Sequence, residues 1–255
     1  MTSGPDPFLG RLAENLSADP RVVGLVLAGS SAEPERRDQW SDHDFLVITH
    51  DGTPEDFRTD LSWLPDHEAL AYSFRETPHG LKALYRSGLL VEFAVFDRAE
   101  FAGCVLNHYA VAIDRGGISE LAAQVRGRSI TPSPIDRLTE FRNLLSLVYI
   151  ATGRARRGER LSANVFLRAY ATEHLLRLMR DLLPEASRVQ LDDLDVWRRF
   201  ETADPALAGS IDGALALPVE QAALELLDLA DRELPARWPD YPTAETSLIR
   251  GLLGW

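Results

Sequence analysis

Two aspartates separated by one residue, Asp42 and Asp44, stand at the front of the apolar run Phe45-Leu46-Val47-Ile48. Residues two apart on a strand point the same way, so these carboxylates share a face with their backbones roughly 7 Å apart. Carboxylates so placed repel, and a divalent cation relieves the repulsion most simply; Mg²⁺ is commonly held by one or two carboxylates together with water and substrate phosphates. Eleven residues upstream, the apolar run 22–28 ends in Gly29-Ser30. A glycine after a strand lets backbone N–H groups approach a phosphate, Ser30 adds a hydroxyl donor, and a following helix start favours negative charge. A third acid, Glu92, interrupts the apolar run 89–96, where an unpaired carboxylate is costly to bury.

Each feature also has a plainer account. Gly-Ser after a strand is commonly only a turn, Asp-His-Asp serves as a solvated strand end or helix cap, and Glu92 alone fits an edge strand facing water. The elements around these residues therefore matter. An amphipathic helix is predicted over 6–16, a buried strand over 22–28, a short helix over 30–37, a strand over 44–49 and a helix over 54–64. Runs at 69–74, 81–86 and 89–96, with turn signals at His79-Gly80 and Ser87-Gly88, predict a meander. A strand over 110–114 and a helix over 119–125 follow.

The polar, proline-containing stretch GRSITPSP at 127–134 is the predicted linker. Beyond it Leu138, Phe141, Leu145, Val148 and Thr152 recur at helical spacing, with Ser133, Pro134 and Asp136 at the start. The pattern breaks over Gly153 to Arg160. Further helices are predicted over 162–183, 220–234 and 248–255. The expected fold is thus an α/β (α+β) domain over 1–130, with a mixed sheet, followed by an all-α helical bundle over 131–255.

A net charge of −12 disfavours nucleic acid and anionic membranes as partners, because both select basic surfaces. No stretch reaches the roughly 20 apolar residues of a membrane span. One cysteine, Cys104, forms no internal disulfide, and the N-terminus lacks the basic and apolar segments of a signal peptide. A cytoplasmic location is expected. Lys82 is the only lysine, so a phosphate clamp would be built mostly from arginine.

The order apolar-Gly-Ser, eleven residues, Asp-x-Asp, apolar run, and later apolar-Glu-apolar resembles the nucleotidyltransferase superfamily that includes DNA polymerase β. Within it the chain looks most like the antibiotic-modifying branch, the lincosamide nucleotidyltransferases above all, with aminoglycoside nucleotidyltransferases as relatives. Three stretches carry the likeness: Ala28-Gly29-Ser30 to Asp44; Glu92 with Phe96-Asp97; and Arg137-Leu138-Thr139-Glu140 leading to Arg157-Gly158-Glu159. The resemblance implies that Gly29 and Ser30 hold a nucleoside triphosphate, ATP in the first instance, that Asp42 and Asp44 bind Mg²⁺, and that Glu92 supplies the third acid. It implies in-line attack of a small molecule's hydroxyl on the α-phosphate, a site in the cleft between the two domains, and a homodimer as a family-level expectation. In an apolar strand, desolvation would fit Glu92 to take the hydroxyl proton.

Asp97 is the rival acid; ahead of Arg98-Ala99-Glu100 it reads as a helix cap. The six histidines show no zinc spacing, and in a regular strand His43 points away from its aspartate neighbours. His108 with Tyr109 would either line a pocket or be satisfied structurally. Trp40 would stack on a base or sugar, or pack on the short helix; Tyr72 and Phe74 would face the acceptor or the core. Arg154, Arg156, Arg157 and Arg160 form either a solvated helix end or one arm reaching the triphosphate. Two other functions stay in view: an enzyme that nucleotidylates a protein, and a non-catalytic nucleotide-binding module.

Overall fold

The strands of the N-terminal half are made by alternation. In Leu90–Phe96 the residues Val91, Phe93 and Val95 are buried while Leu90, Glu92 and Ala94 are half-buried, which places two chemically distinct sets on opposite faces of one strand. The computed structural model describes residues 6–33, 38, 40–129, 135–189 and 191–255. It divides into two compact units, Met1–Thr131 and Pro132–Trp255.

In the first unit the elements run α1 (Pro7–Ala18), β1 (Val22–Ala28), α2 (Gly29–Ala32), β2 (His43–Thr49), α3 (Pro54–Thr59), β3 (Leu70–Arg75), β4 (Gly80–Tyr85), β5 (Leu90–Phe96), α4 (Arg98–Ala102), β6 (Tyr109–Asp114) and α5 (Ile118–Ser129). Among the described residues the sheet has the order β3-β4-β5-β2-β1-β6. Only β2 and β5 pair in parallel, so the sheet is mixed. One face is closed by α1 and α3: Phe8, Leu12, Leu16 and Phe57 pack on Leu25, Phe45, Val47, Phe93 and Val95. The other face is covered only in part. Phe101 of α4 and Ile118, Ala122 and Val125 of α5 pack on Val26, Ile48 and Phe96. Towards the starts of β2 and β5, Asp44, Leu90 and Glu92 on that face are half-buried, and none of them belongs to the cluster under α4 and α5.

The second unit contains α6 (Arg137–Arg156), α7 (Arg160–Asn164), a π-helical stretch Val165–Ala171, α8 (Thr172–Leu182), α9 (Glu185–Arg188), α10 (Phe200–Ala203), α11 (Pro205–Leu215), α12 (Val219–Glu233) and α13 (Thr243–Leu253). Asp136 caps α6, accepting from the N–H groups of Leu138 and Thr139. The core joins Phe141, Leu144 and Val148 of α6 to Leu175 and Met179 of α8 and Leu226 and Leu227 of α12. No helix of the described residues is long and apolar enough to cross a membrane.

Several boundaries differ from the sequence expectation. The helix predicted over 30–37 is the single turn Gly29–Ala32, and its expected remainder at 34–37 lies outside the described residues. The helix predicted to 64 stops at Thr59. Gly153 lies inside α6; the break comes at Gly158, whose φ of +82° only glycine adopts cheaply. The helix expected over 162–183 starts earlier and widens at Val165–Ala171, where the Thr172 hydroxyl donates to the Leu167 carbonyl at 2.9 Å. The last helix begins at Thr243 rather than 248. Helices α9, α10 and α11 had no counterpart in the sequence pattern, and residues 130–134 of the predicted linker are outside the described residues.

Candidate active site

The pairing of strands assembles the acids. Ala28 is the partner of Asp44 across β1–β2, and Asp44 is the partner of Glu92 across β2–β5. Asp42 lies two residues before Asp44 and so returns to the same face. Leu46 and Ala94, each two residues further along, pack under α4 and α5, so the acids sit just beyond that cover. Carboxylate oxygens of Asp42, Asp44 and Glu92 lie within 4.8 Å of one another. Among the described residues no other group of histidine, cysteine, aspartate or glutamate converges in this way.

Gly29 serves this cluster through space rather than through its amide. Its own N–H donates to the His108 carbonyl at 3.2 Å. Its φ is +54°, and a Cβ there would stand 2.8 Å from Asp44 Oδ2; glycine therefore lets the Asp44 carboxylate lie against the turn. The Ser30 hydroxyl donates to the Asp42 carbonyl at 3.4 Å. Ser31, not singled out by its sequence position, is buried and accepts the Asp44 N–H at 3.1 Å. The turn thus holds both aspartates, one through each serine.

Glu92 is not buried inside the sheet: its side chain is 33% exposed, so desolvation is not its defining environment. Its Oε1 lies 3.1 Å from Lys82 Nζ, which is also 3.1 Å from Glu76 Oε1. Glu92 first, then Glu76, hold the Lys82 ammonium above its usual pKa. Lys82 is not among the site residues expected from the sequence. The signal was present, because a hairpin centred on Ser87 places Lys82 opposite Glu92, as the observed β4–β5 register does. A depression of about 260 Å³ opens here, lined by Ala28, Asp44, Leu46, Glu92 and Ala94 with Glu76. Larger hollows of about 430 and 420 Å³ on the helical unit, beside Trp197 and Tyr149, hold no such convergence of acids.

The remaining candidates separate cleanly. His43 is buried on the opposite face, its Nε2 3.3 Å from Asp6 Oδ2 and its ring 5.3 Å from that of Phe8. Asp97 caps α4: it accepts the Glu100 N–H at 2.8 Å while Glu100 accepts the Asp97 N–H at 2.9 Å. His108 Nδ1 lies 3.3 Å from Glu33 Oε1. Trp40 is 85% exposed. Tyr72 and Phe74, 55% and 47% exposed, are not core residues; Phe74 is the partner of Lys82 across β3–β4, which puts it in the row of the acids. Three of the four clustered arginines are engaged within the helical unit, and Arg160 is exposed. Arg154 donates to Ser162 and stacks 3.8 Å from the Phe166 ring, Arg156 reaches Glu220 at 2.8 Å, and Arg157 reaches Glu159 at 3.1 Å.

No protein-family model matches the chain, and no curated protein matches its sequence. Among the solved structures to which the chain is similar are three nucleotidyl-transfer proteins or relatives by name. An aminoglycoside 6-adenyltransferase from Bacillus subtilis is 12% identical, with 98% of each chain covered and a TM-score of 0.37. A nucleotidyltransferase-like protein from Exiguobacterium sibiricum is 16% identical, covering 91% of this chain and 77% of that one, with a TM-score of 0.33. A STING-associated c-di-GMP synthase from Capnocytophaga granulosa is 11% identical, covering 88% and 79%, with a TM-score of 0.28. Likeness at these scores leaves the chemistry to the geometry of the site itself.

Proposed function

We propose that the protein is a Mg²⁺-dependent nucleotidyltransferase that moves a nucleoside monophosphate, AMP from ATP in the first instance, onto a hydroxyl of a small antibiotic-like molecule. A lincosamide or an aminoglycoside is the acceptor class to test first. The observation that carries this is the convergence of Asp42, Asp44 and Glu92 within 4.8 Å beside a turn whose glycine is shaped around Asp44.

The donor set fits a hard divalent cation, since it consists of carboxylate oxygens alone. Asp42 and Asp44 would hold Mg²⁺, which supplies neutralisation of phosphate charge when bound. Ser30 and Ser31 fix the backbone of both aspartates, and the Gly29 turn leaves room for the triphosphate beside them. Glu92 takes the proton of the acceptor hydroxyl. The hydroxyl oxygen forms a bond to the α-phosphorus as the bond to the β-phosphate oxygen breaks, and pyrophosphate leaves with that bond's electron pair. Phe74 and Tyr72, exposed along the same face, are placed to contact the acceptor beyond Glu92.

The test is direct. Purified protein is incubated with Mg²⁺, each of the four ribonucleoside triphosphates in turn, and a panel of lincomycin, clindamycin and several aminoglycosides, then analysed by mass spectrometry. A nucleotidyl mass gain on a drug is the expected result. A gain only on a protein assigns a protein-modifying enzyme instead, and tight nucleotide binding with no transfer to any acceptor assigns a binding module.

A further inference from the structure

The single lysine of the chain stands between two acids, its Nζ 3.1 Å from Glu92 Oε1 and 3.1 Å from Glu76 Oε1. Cross-strand pairing sets Lys82 opposite Glu92, and Glu92 opposite Asp44, so cation and acids lie in one row across three strands. Resting on the nucleotidyl-transfer reading above, we propose that Lys82 is a positioning residue. It holds one oxygen of Glu92 on the acceptor side, so that Glu92 serves as an oriented proton acceptor and not as a third ligand of the ion held by Asp42 and Asp44.

Three observations support this role. Glu92 reaches within 4.8 Å of both aspartates, so nothing in its position alone keeps it from joining them, whereas Mg²⁺ sites use one or two carboxylates. The ammonium 3.1 Å from its Oε1 is the counter-charge that draws Glu92 the other way. A lysine on a flexible stem wanders unless it is anchored, and Glu76 supplies the second anchor. The rival role, direct contact with the triphosphate, is poorly placed. Lys82 on β4 is separated from Ala28 and the Gly29 turn on β1 by two intervening strands, about 14 Å at the usual strand spacing.

The test compares wild type with Lys82→Met, Lys82→Arg, Glu92→Gln and the Lys82→Met/Glu92→Gln double variant as full chains. Mn²⁺ binding is followed by electron paramagnetic resonance without acceptor, first without and then with a nucleoside triphosphate, and transfer kinetics are measured beside it. Lys82→Met is expected to tighten Mn²⁺ binding by about 5–10-fold and to lower kcat by about 10–100-fold with the KM for nucleotide unchanged. Lys82→Arg restores most of both. The tightening disappears in the double variant, because it needs the Glu92 carboxylate, and turnover there equals that of Glu92→Gln alone. Unaltered Mn²⁺ affinity in Lys82→Met, or tightening that persists without Glu92, overturns the role. So does a raised nucleotide KM with kcat retained, which would move Lys82 to the phosphates. A wild-type protein that binds no Mn²⁺ even with a nucleoside triphosphate present, and transfers nothing, overturns the nucleotidyl-transfer reading together with this role, whereas wild-type binding that Lys82→Met leaves untouched overturns the role alone.

Discussion

Replacing Gly29 by alanine separates two things that glycine does at this turn. The new Cβ would stand 2.8 Å from Asp44 Oδ2, short of the 3.4 Å at which ordinary contact begins, so the carboxylate must retreat by roughly 0.6 Å. The backbone must also hold a side chain at φ +54°, which costs about 1–2 kcal/mol and lowers the melting temperature of the unit by roughly 3–10 °C. Strain alone would not touch turnover, but displacement of Asp44 would, since a misplacement of about 1 Å costs on the order of 10²-fold. Gly29→Ala is therefore expected to lower kcat by about 10–100-fold. Gly52→Ala is the control: its φ is +79° and a Cβ there meets nothing within 4 Å, so it should melt earlier yet turn over at the wild-type rate. Melting curves and steady-state transfer kinetics on both variants settle the matter. Equal turnover in the two would refute the claim that Gly29 is there to make room for the Asp44 carboxylate.

Glu92→Gln should retain nucleotide binding by calorimetry while turnover falls by about 10²–10⁴-fold; unchanged turnover removes Glu92 as the base. The Asp114 carboxylate is held down at about 2 by Ser119, Ile118 and Gly117 at the start of α5. Its contribution to stability is present above the ordinary value of 3.8 and is lost as pH falls through about 2. Acid unfolding followed by circular dichroism should therefore contain a component between these limits that Asp114→Asn abolishes. In the helical unit, Phe141 is fully buried with Trp238 and Tyr241 edge-on at 6.0 and 4.9 Å, and Phe141→Ala should cost about 3–5 kcal/mol in urea titrations.

Much of the first unit could be read from its residues because burial there follows period two. Val91, Phe93 and Val95 declare one face of β5 and Glu92 the other, and the same alternation places Asp42 with Asp44 and sends His43 to the far side. Glu92 read as a buried acid because its neighbours are apolar, yet apolar neighbours along a strand sit on the opposite face, and on its own face the cluster under α4 and α5 does not include it. Ser31 was hidden for a different reason: its partner, the Asp44 N–H, comes from another element, which local pattern does not display. Lys82 becomes legible only when the turn signal at Ser87-Gly88 is used to set the β4–β5 register that places it opposite Glu92. In the second unit, Gly153 looked like a helix end, but helix interiors tolerate single glycines, and the stop at Gly158 depends on a backbone angle that composition does not reveal.

The fate of the α-phosphate tests the central claim most directly. With an acceptor from the panel, Mg²⁺ and ATP labelled at either the α- or the γ-phosphate, the α-label should move to the acceptor and the γ-label should leave as pyrophosphate, with both events lost in Asp42→Asn and Asp44→Asn. Transfer of the γ-label, or transfer of the α-label that survives loss of both aspartates, would contradict it.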